Sequence, residues 1–471
     1  MQFFRKKSFE SIKEIETTSN LNKNLGAIDL LIFGIGAIIG SAVFVLTGSV
    51  AATYSGPAVT LSYTIAGVTC IVVALAYAEI ATMLPSSGSI YTYSYIAFGE
   101  VFAWLIGSII ILELNFSAAT VAVGWSAYIQ GILKTGGIEL PKSITTSPEN
   151  GGIIDLPAVA IVFLVASILY FGTKDSKRLN AILVLIKMIA IMVFIIAAIP
   201  QFNITYWQDF MPFGFNDMLL GSSILFFAFT GFSTLAASAE ECKDPRKDLM
   251  IGIIGSLVIS TTVYIIIAAL LTGIAPLSQL NSAQPLAYAL KLNGINMGAV
   301  VVAIGAVCGM TTVLMVNIYG LSRIFYVIAR DGLVPKSFAK LHYKYGSPYF
   351  NIIFFSLCAA LMAGFCPYKV LGELSSMGAL IDYIVAILIV LIFRIRFPNV
   401  LRSFKCPAIF IIAPLGLLSC AYLLFQQIVA KDGSLRLTGK LLIYWFIIMF
   451  ILYLIRSLFM TKIRTKKLAP I

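Results

Sequence analysis

The stretch Gly34-Ile35-Gly36-Ala37-Ile38-Ile39-Gly40-Ser41-Ala42-Val43-Phe44 decides the fold. Three glycines, Gly34, Gly36 and Gly40, stand within seven residues at the middle of an apolar run. Each weakens a helix by about 1 kcal/mol relative to alanine. Taken alone, Gly36 and Gly40 also fit the G-x-x-x-G pattern of close helix packing. A second run, Phe226-Phe227-Ala228-Phe229-Thr230-Gly231-Phe232-Ser233-Thr234, again carries a central glycine beside a hydroxyl residue. Unwound backbone exposes N–H and C=O groups that hydrocarbon cannot satisfy and a polar ligand can. Paired interruptions at matching places in two inverted halves point to a midplane binding site. A half-helix starting near Ser41 would offer free N–H groups and partial positive charge to a carboxylate. Freed carbonyls at Ile38, Phe227, Ala228 and Thr230 would suit an ammonium. Such a site fits the zwitterionic end of an α-amino acid.

The surroundings of these runs set the class. The chain has 471 residues, 59% hydrophobic and 11% charged, against roughly 25% charged in soluble domains. That composition excludes water-soluble enzymes and nucleic-acid-binding domains and predicts an all-α polytopic membrane protein. Twelve apolar stretches are long enough to be spans: 27–52, 58–83, 96–131, 156–171, 179–199, 218–238, 250–273, 297–329, 349–366, 370–395, 407–429 and 441–460. With the N-terminus inside, the inner segments and the tail collect 24 of the 33 Lys and Arg, the outer loops seven, and Lys187 and Arg323 remain within spans. Cytoplasmic loops concentrate such residues, so both termini are expected inside. The basic clusters read as topology signals and lipid contacts, with no nucleic acid partner. The expected organisation is a polar cytoplasmic arm (1–25), two five-span halves (26–200 and 201–396), and two further spans with a tail (397–471).

Several chemistries are missing. The seven cysteines form no C-x-x-C, so neither a zinc knuckle nor a redox pair is indicated. The single His342 cannot build a metal site alone, and no phosphate-binding G-x-x-x-x-G-K-[ST] occurs. No cofactor or metal is expected, and uphill movement would need an ion gradient or exchange. Residues 1–25 lack the basic, apolar, small-residue order of a secretory signal.

Span 1 resembles the glycine-rich first helix of the amino acid–polyamine–organocation superfamily. Further stretches are similar to its cationic amino acid transporter branch: Pro85 to Tyr91, Phe226 to Phe232 with Ala239-Glu240-Glu241, Ser322-Arg323-Ile324-Phe325 with Ala329 to Gly332, and Leu371-Gly372-Glu373-Leu374. The resemblance runs through nearly the whole chain. It implies twelve transmembrane helices, a five-plus-five inverted repeat with broken helices 1 and 6, and two added C-terminal helices. It implies L-amino-acid transport by alternating access in a bacterial inner membrane. Carried over, Ile38, Gly40, Ser41 and Ala42 would hold the substrate from span 1, and Phe227, Ala228 and Thr230 from span 6, with the Phe227 ring closing the site outward. Ala42 replaces a family glycine and Ser233 a frequent aspartate, and Asn317 takes the span 8 position facing the substrate side chain.

Ionisable residues at membrane depth refine this. Lys187 lies nine residues past Arg178, roughly 13 Å into the membrane at 1.5 Å per residue. It reads either as a structural tether or, as in proton-coupled relatives, as a proton carrier bonded to carbonyls near Gly36 and to Thr311 or Thr312. Glu113 could face the substrate side chain, pair with Lys187 or carry a second proton. Asp382 is expected to bond a neighbour, while Asp29 and Glu79 read as paired groups near inner span ends. Tyr91, Tyr93 and Tyr95 read as interfacial anchors. The leading expectation is proton symport. The alternatives are an exchanger or a polyamine or cationic amino acid carrier on the same fold, and a non-transporting amino-acid sensor.

Overall fold

The computed structural model describes residues 6–7, 24–400, 402–430 and 433–468, so most of the arm expected at 1–25 lies outside the described residues. Helices dominate, and the extended pairings among these residues are isolated bridges. Apolar runs in hydrocarbon satisfy their backbone groups within the segment, and a helix does this residue by residue. Among the described residues, nine helical stretches are long and apolar enough to cross a membrane, the first being Ala27–Met83, and two shorter apolar helices, Leu156–Tyr170 and Tyr349–Phe365, stand among them.

Eight helices build the centre: α1 (Ala27–Ile38), α2 (Val59–Met83), α3 (Glu100–Thr135), α4 (Thr173–Ala198), α5 (Phe215–Leu225), α6 (Pro245–Ile274), α7 (Asn296–Arg330) and α8 (Tyr368–Arg396). Helix α1 packs on α4, α6 and α7, while α3 packs on α7 and α8. Two rods in this centre are interrupted. Helix α1 stops where Ile39 turns extended, at φ −78° and ψ 98°. The chain resumes with wide π-helical turns at Ala42–Leu46 and Ala51–Ser55. Helix α5 tightens into a 3₁₀ turn at Phe226–Phe229, Thr230 is extended, and helix returns only at Thr234–Ala237. Between them Gly231 holds φ +103°, a conformation open to glycine and strained for other residues. A Cβ there would stand 3.1 Å from the Ala37 carbonyl oxygen, so this glycine lets the two interruptions touch.

Basic loops gather at one end of the molecule. Asn24 and Leu25 donate their backbone N–H groups to Glu241 O (3.0 and 3.1 Å), and Lys243 N donates to Leu25 O (2.8 Å). Lys177 pairs with Asp29 (2.6 Å), Lys7 with Asp331 (2.5 Å) and Arg456 with Glu100 (3.2 Å). Glu79 is buried between Arg394 (2.6 Å) and Arg402 (3.0 Å). Deepest is Arg323 Nε to Glu241 Oε1 at 2.9 Å, both side chains 2% exposed, with the guanidinium 3.7 Å from the Tyr319 ring centre. At the other end Lys291 reaches Thr135 (3.3 Å).

The tyrosines at 91, 93 and 95 correct an expectation. All three are buried on the helix Ser89–Ala97 rather than anchored at an interface. Tyr91 donates to Asp331 (2.8 Å) and Tyr95 to Glu100 (2.9 Å). The local helix turns Tyr91 and Tyr95 into the charged end of the protein.

Removing one partner of a buried ion pair strands the other charge, at about 3–5 kcal/mol, whereas replacing both by apolar groups is often neutral. Arg323→Ala is therefore expected to lower stability in detergent by about that amount, and Arg323→Met with Glu241→Leu to recover most of it. Thermal unfolding of the three proteins checks this.

Candidate functional site

Where the interruptions meet lies a cavity of about 10 Å³, lined by Ala37, Ile38, Gly40, Ser41, Ala42, Ser117, Val121, Phe227, Thr230 and Val313. That is room for about one water-sized sphere. Gly40 sets its tight floor, because a Cβ there would fall 2.5 Å from Val313 Cγ2. Phe227 also lines a much larger cavity of about 490 Å³ that opens toward the end carrying Lys369 and Glu373. Phe227 thus stands where the two spaces adjoin. Toward the basic end the corresponding space, between Asp29, Lys177, Glu241 and Tyr319, is only about 40 Å³.

The freed backbone groups have partners that can be traced. Tyr264, on α6, donates its hydroxyl to Ile38 O (2.6 Å) and lies 3.0 Å from Ala228 O, so one phenol ties the two interruptions together. Phe227 O accepts from Thr230 N (3.2 Å) and Thr230 Oγ1 (2.9 Å). A carbonyl oxygen has two lone pairs, so Ile38 O and Ala228 O retain capacity for a ligand, whereas Phe227 O is already taken twice by Thr230. The expectation of wholly free carbonyls is met only in part. On the donor side, the turn starting at Ala42 has no capping bond from the Ser41 side chain. Ser41 Oγ, buried beside the Tyr368 hydroxyl, lacks a well-formed hydrogen bond of its own. The wide turn beyond is held by Tyr128, whose hydroxyl donates to Phe44 O (2.7 Å), and by Thr47 on Val43 O (2.9 Å).

Lys187 is fully buried on α4. Its ammonium lies within hydrogen-bond reach of Ile35 O (2.9 Å), Gly36 O (3.3 Å), Ile39 O (2.8 Å) and Thr312 Oγ1 (3.0 Å). The carbonyls are those of the last turn of α1, where a helix leaves acceptors unsatisfied and carries partial negative charge. The carbonyl end of the first interruption thus faces Lys187, and Gly40, Ser41 and Ala42 beyond it line the cavity. Thr311, the other hydroxyl expected beside Lys187, instead accepts from Trp125 Nε1 (3.2 Å).

Of the expected residues, Ile38, Gly40, Ser41, Ala42, Phe227 and Thr230 line the small cavity, while Ala228 is tied to the first interruption through the Tyr264 hydroxyl. Three others are set back. Asn317 donates to Ser117 (2.8 Å), and it is Ser117 that lines the cavity. Glu113 lies one turn from Ser117 along α3, where Ser233 Oγ approaches its Oε1 at 3.5 Å. Sequence reasoning missed Ser117, Val121, Val313 and Tyr264. No break, charge or glycine marks these positions, and only the packing of α3, α6 and α7 on α1 brings them in.

A helical membrane protein with two interrupted rods enclosing a polar-backbone cavity is, in class, a solute carrier. Residues 25–453 match the model of the amino acid permease family, and the chain belongs to that family, within the amino acid–polyamine–organocation superfamily. It is 40% identical over 431 residues to the branched-chain amino acid permease BcaP of Bacillus subtilis (strain 168), covering 90% of this chain and 92% of the relative. It is 36% identical over 425 residues to the methylthioribose transporter of the same organism, with the same coverage. To cationic amino acid transporter 1 of Arabidopsis thaliana it is 33% identical over 387 residues, 82% of this chain and 65% of that one.

Tyr264→Phe leaves two buried carbonyls without their shared donor, a loss of about 1–3 kcal/mol. The variant is expected to unfold at lower temperature, with weaker amino-acid binding. Calorimetry on detergent-solubilised protein reads both.

Proposed function

We propose that this chain is a secondary active transporter of L-amino acids that couples uptake to protons and works by alternating access. The observation that carries the reading is the meeting of two helix interruptions around a small cavity, with a buried lysine on the carbonyl side of one of them. Amide ends would receive the carboxylate, and the carbonyls of Ile38 and Ala228 the ammonium. Ser41, Ala42 and Thr230 border that end, and Phe227 separates it from the larger cavity. Ser117, Val121 and Val313 offer a narrow, mostly apolar wall that suits small or branched aliphatic side chains. The relatives named as amino acid permeases agree with this class.

Twelve crossings support the same reading. Ala27–Met83 is 57 residues long, about 85 Å at 1.5 Å per residue, nearly three times a hydrocarbon core. It therefore contains two crossings, with a turn at Gly56 (φ +59°) and Pro57. The two shorter apolar helices complete the set. The halves 26–200 and 201–396 each begin with an interrupted helix, as an inverted repeat would, and the basic end faces the cytoplasm of a bacterial inner membrane.

Lys187 is the coupling residue in this account. Protonated, it holds the last carbonyls of α1 to Thr312 on α7. Deprotonated, it loses its charge and one donor, and α1 can shift relative to α7. Differential affinity for two arrangements is what coupling requires. A second reading, a carrier of cationic amino acids or an exchanger, is favoured by Glu113, a buried carboxylate one turn from Ser117 that has no ion-pair partner among the described residues. Competition of labelled alanine uptake by leucine, arginine and putrescine in proteoliposomes separates the two.

Lys187→Ala is expected to abolish accumulation driven by a pH gradient while exchange of internal for external amino acid persists. Concentrative uptake by that variant under a pure proton gradient would refute the coupling role.

A further inference from the structure

Away from the substrate cavity, two carboxyl groups are buried together. Glu113 on α3 is fully buried, and Asp382 on α8 is 1% exposed. Ser375 Oγ donates to Glu113 O at 2.9 Å. A Cβ added to Gly378 would stand 3.1 Å from the N, Cα and Cβ of Glu113. Asp382 follows Gly378 by four residues, so it shares that face one turn along. The helices run in opposite directions: α3 starts at the basic end, where Glu100 meets Arg456, and α8 finishes there, where Arg396 donates to Ala97 O. Helical side chains lean toward the N-terminus of their own helix. Glu113 therefore leans toward Asp382, and Asp382 back toward Glu113.

No base answers either group among the described residues. Lys187 is spent on the carbonyls of α1, and Arg323 on Glu241. Glu113 Oε2 and Asp382 Oδ1 have no hydrogen-bond partner. The titratable groups facing the pair are Tyr77 of α2 and Tyr383 of α8, with Cys70 of α2 behind Tyr383. Tyr77 OH is bonded to Ser89 (2.5 Å), and Tyr383 OH reaches Phe229 O (3.5 Å). Tyr93, on the helix packed beside α3 and α8, is buried with a hydroxyl that lacks a hydrogen-bond partner. Two anionic carboxylates cannot share a dry site, whereas one proton between them turns repulsion into a hydrogen bond.

We propose that Glu113 and Asp382 form a shared proton-binding site, distinct from Lys187, that holds the interrupted Phe226–Ser233 segment against α3 and α8. The link to that segment is direct. Ser233 Oγ touches Glu113 Oε1 (3.5 Å), Phe232 stacks on Tyr383 (4.7 Å between ring centres), and Tyr77 meets Phe232 edge-on (5.8 Å). Losing the shared proton sets two like charges against each other behind the segment and frees it to move. The proton comes from and returns to water at whichever face the cavity opens. The site deepens the proton-coupled reading above, and only its part in transport rests on that reading.

The test is infrared spectroscopy of the full chain in lipid nanodiscs, following the C=O stretch of a protonated carboxyl through a pH titration. Wild type is expected to show the band at neutral pH. Asp382→Asn and Glu113→Gln are each expected to displace it, and the double variant to lack it. Amino-acid uptake should fall on the alkaline side in wild type, and about one pH unit earlier in Asp382→Asn, whose remaining carboxyl has lost the neighbouring anion that strengthens its hold on the proton. Absence of the band from wild type, which needs no variant, or its persistence in the double variant, overturns the proposal. A pH dye inside proteoliposomes keeps the two readings apart. Amino-acid uptake by wild type without proton movement removes the coupling reading, while the band still decides whether the pair holds a proton.

Discussion

Peptide groups that leave a helix inside hydrocarbon must find partners, and this constraint organises the structure. Two rods are interrupted at the same depth, near Ile39 and near Thr230. Their loose ends draw the rest of the centre around them: Lys187 and Thr312 on one side of the first interruption, Tyr264 across both, and Tyr383 behind the second. Each partner sits on a different helix. The packing of α4, α6, α7 and α8 is thus also the wiring of the interruptions, and motion of any of these helices changes which peptide groups are satisfied.

The two ends of the molecule are unequal. Beyond Phe227 lies about 490 Å³ of open space, whereas the end holding Arg323 and Glu241 leaves about 40 Å³. The closed end is held by charge. Its ion pairs join the turn after α5, the entry to α1 and the end of α7. Breaking such pairs one partner at a time is costly, but exchanging them for water as a cavity opens restores much of their solvation. The small cavity thus lies between an end held by ion pairs and an end with open space beyond Phe227.

Much of this was legible in the residues. Gly34, Gly36 and Gly40 marked the first interruption and Gly231 the second, because glycine in an apolar run costs helix stability. The depth of Lys187 marked it as special, since a charge nine residues into a span needs acceptors. Six of the residues expected from spans 1 and 6 line the cavity. What escaped was decided by helix rotation. Glu113 and Asn317 carry the chemistry a pocket needs but lie a turn away from it, and Ser117 takes their place. Tyr264 is one more aromatic in an ordinary apolar helix until its hydroxyl is seen to bridge Ile38 and Ala228. The pairing of Glu113 with Asp382 depends on Gly378, whose missing side chain lets α3 and α8 close together.

The central claim is that backbone ends of two interrupted helices recognise both charges of one amino acid. It is tested most directly by equilibrium binding of the amino acid that the purified protein holds best, in competition with its methyl ester and its N-acetyl derivative. Each derivative removes one charged end and keeps the side chain. Hydrogen bonds to charged groups contribute about 1.5–3 kcal/mol, so each derivative is predicted to compete at least about tenfold more weakly than the parent. Equal competition by either derivative would contradict the account.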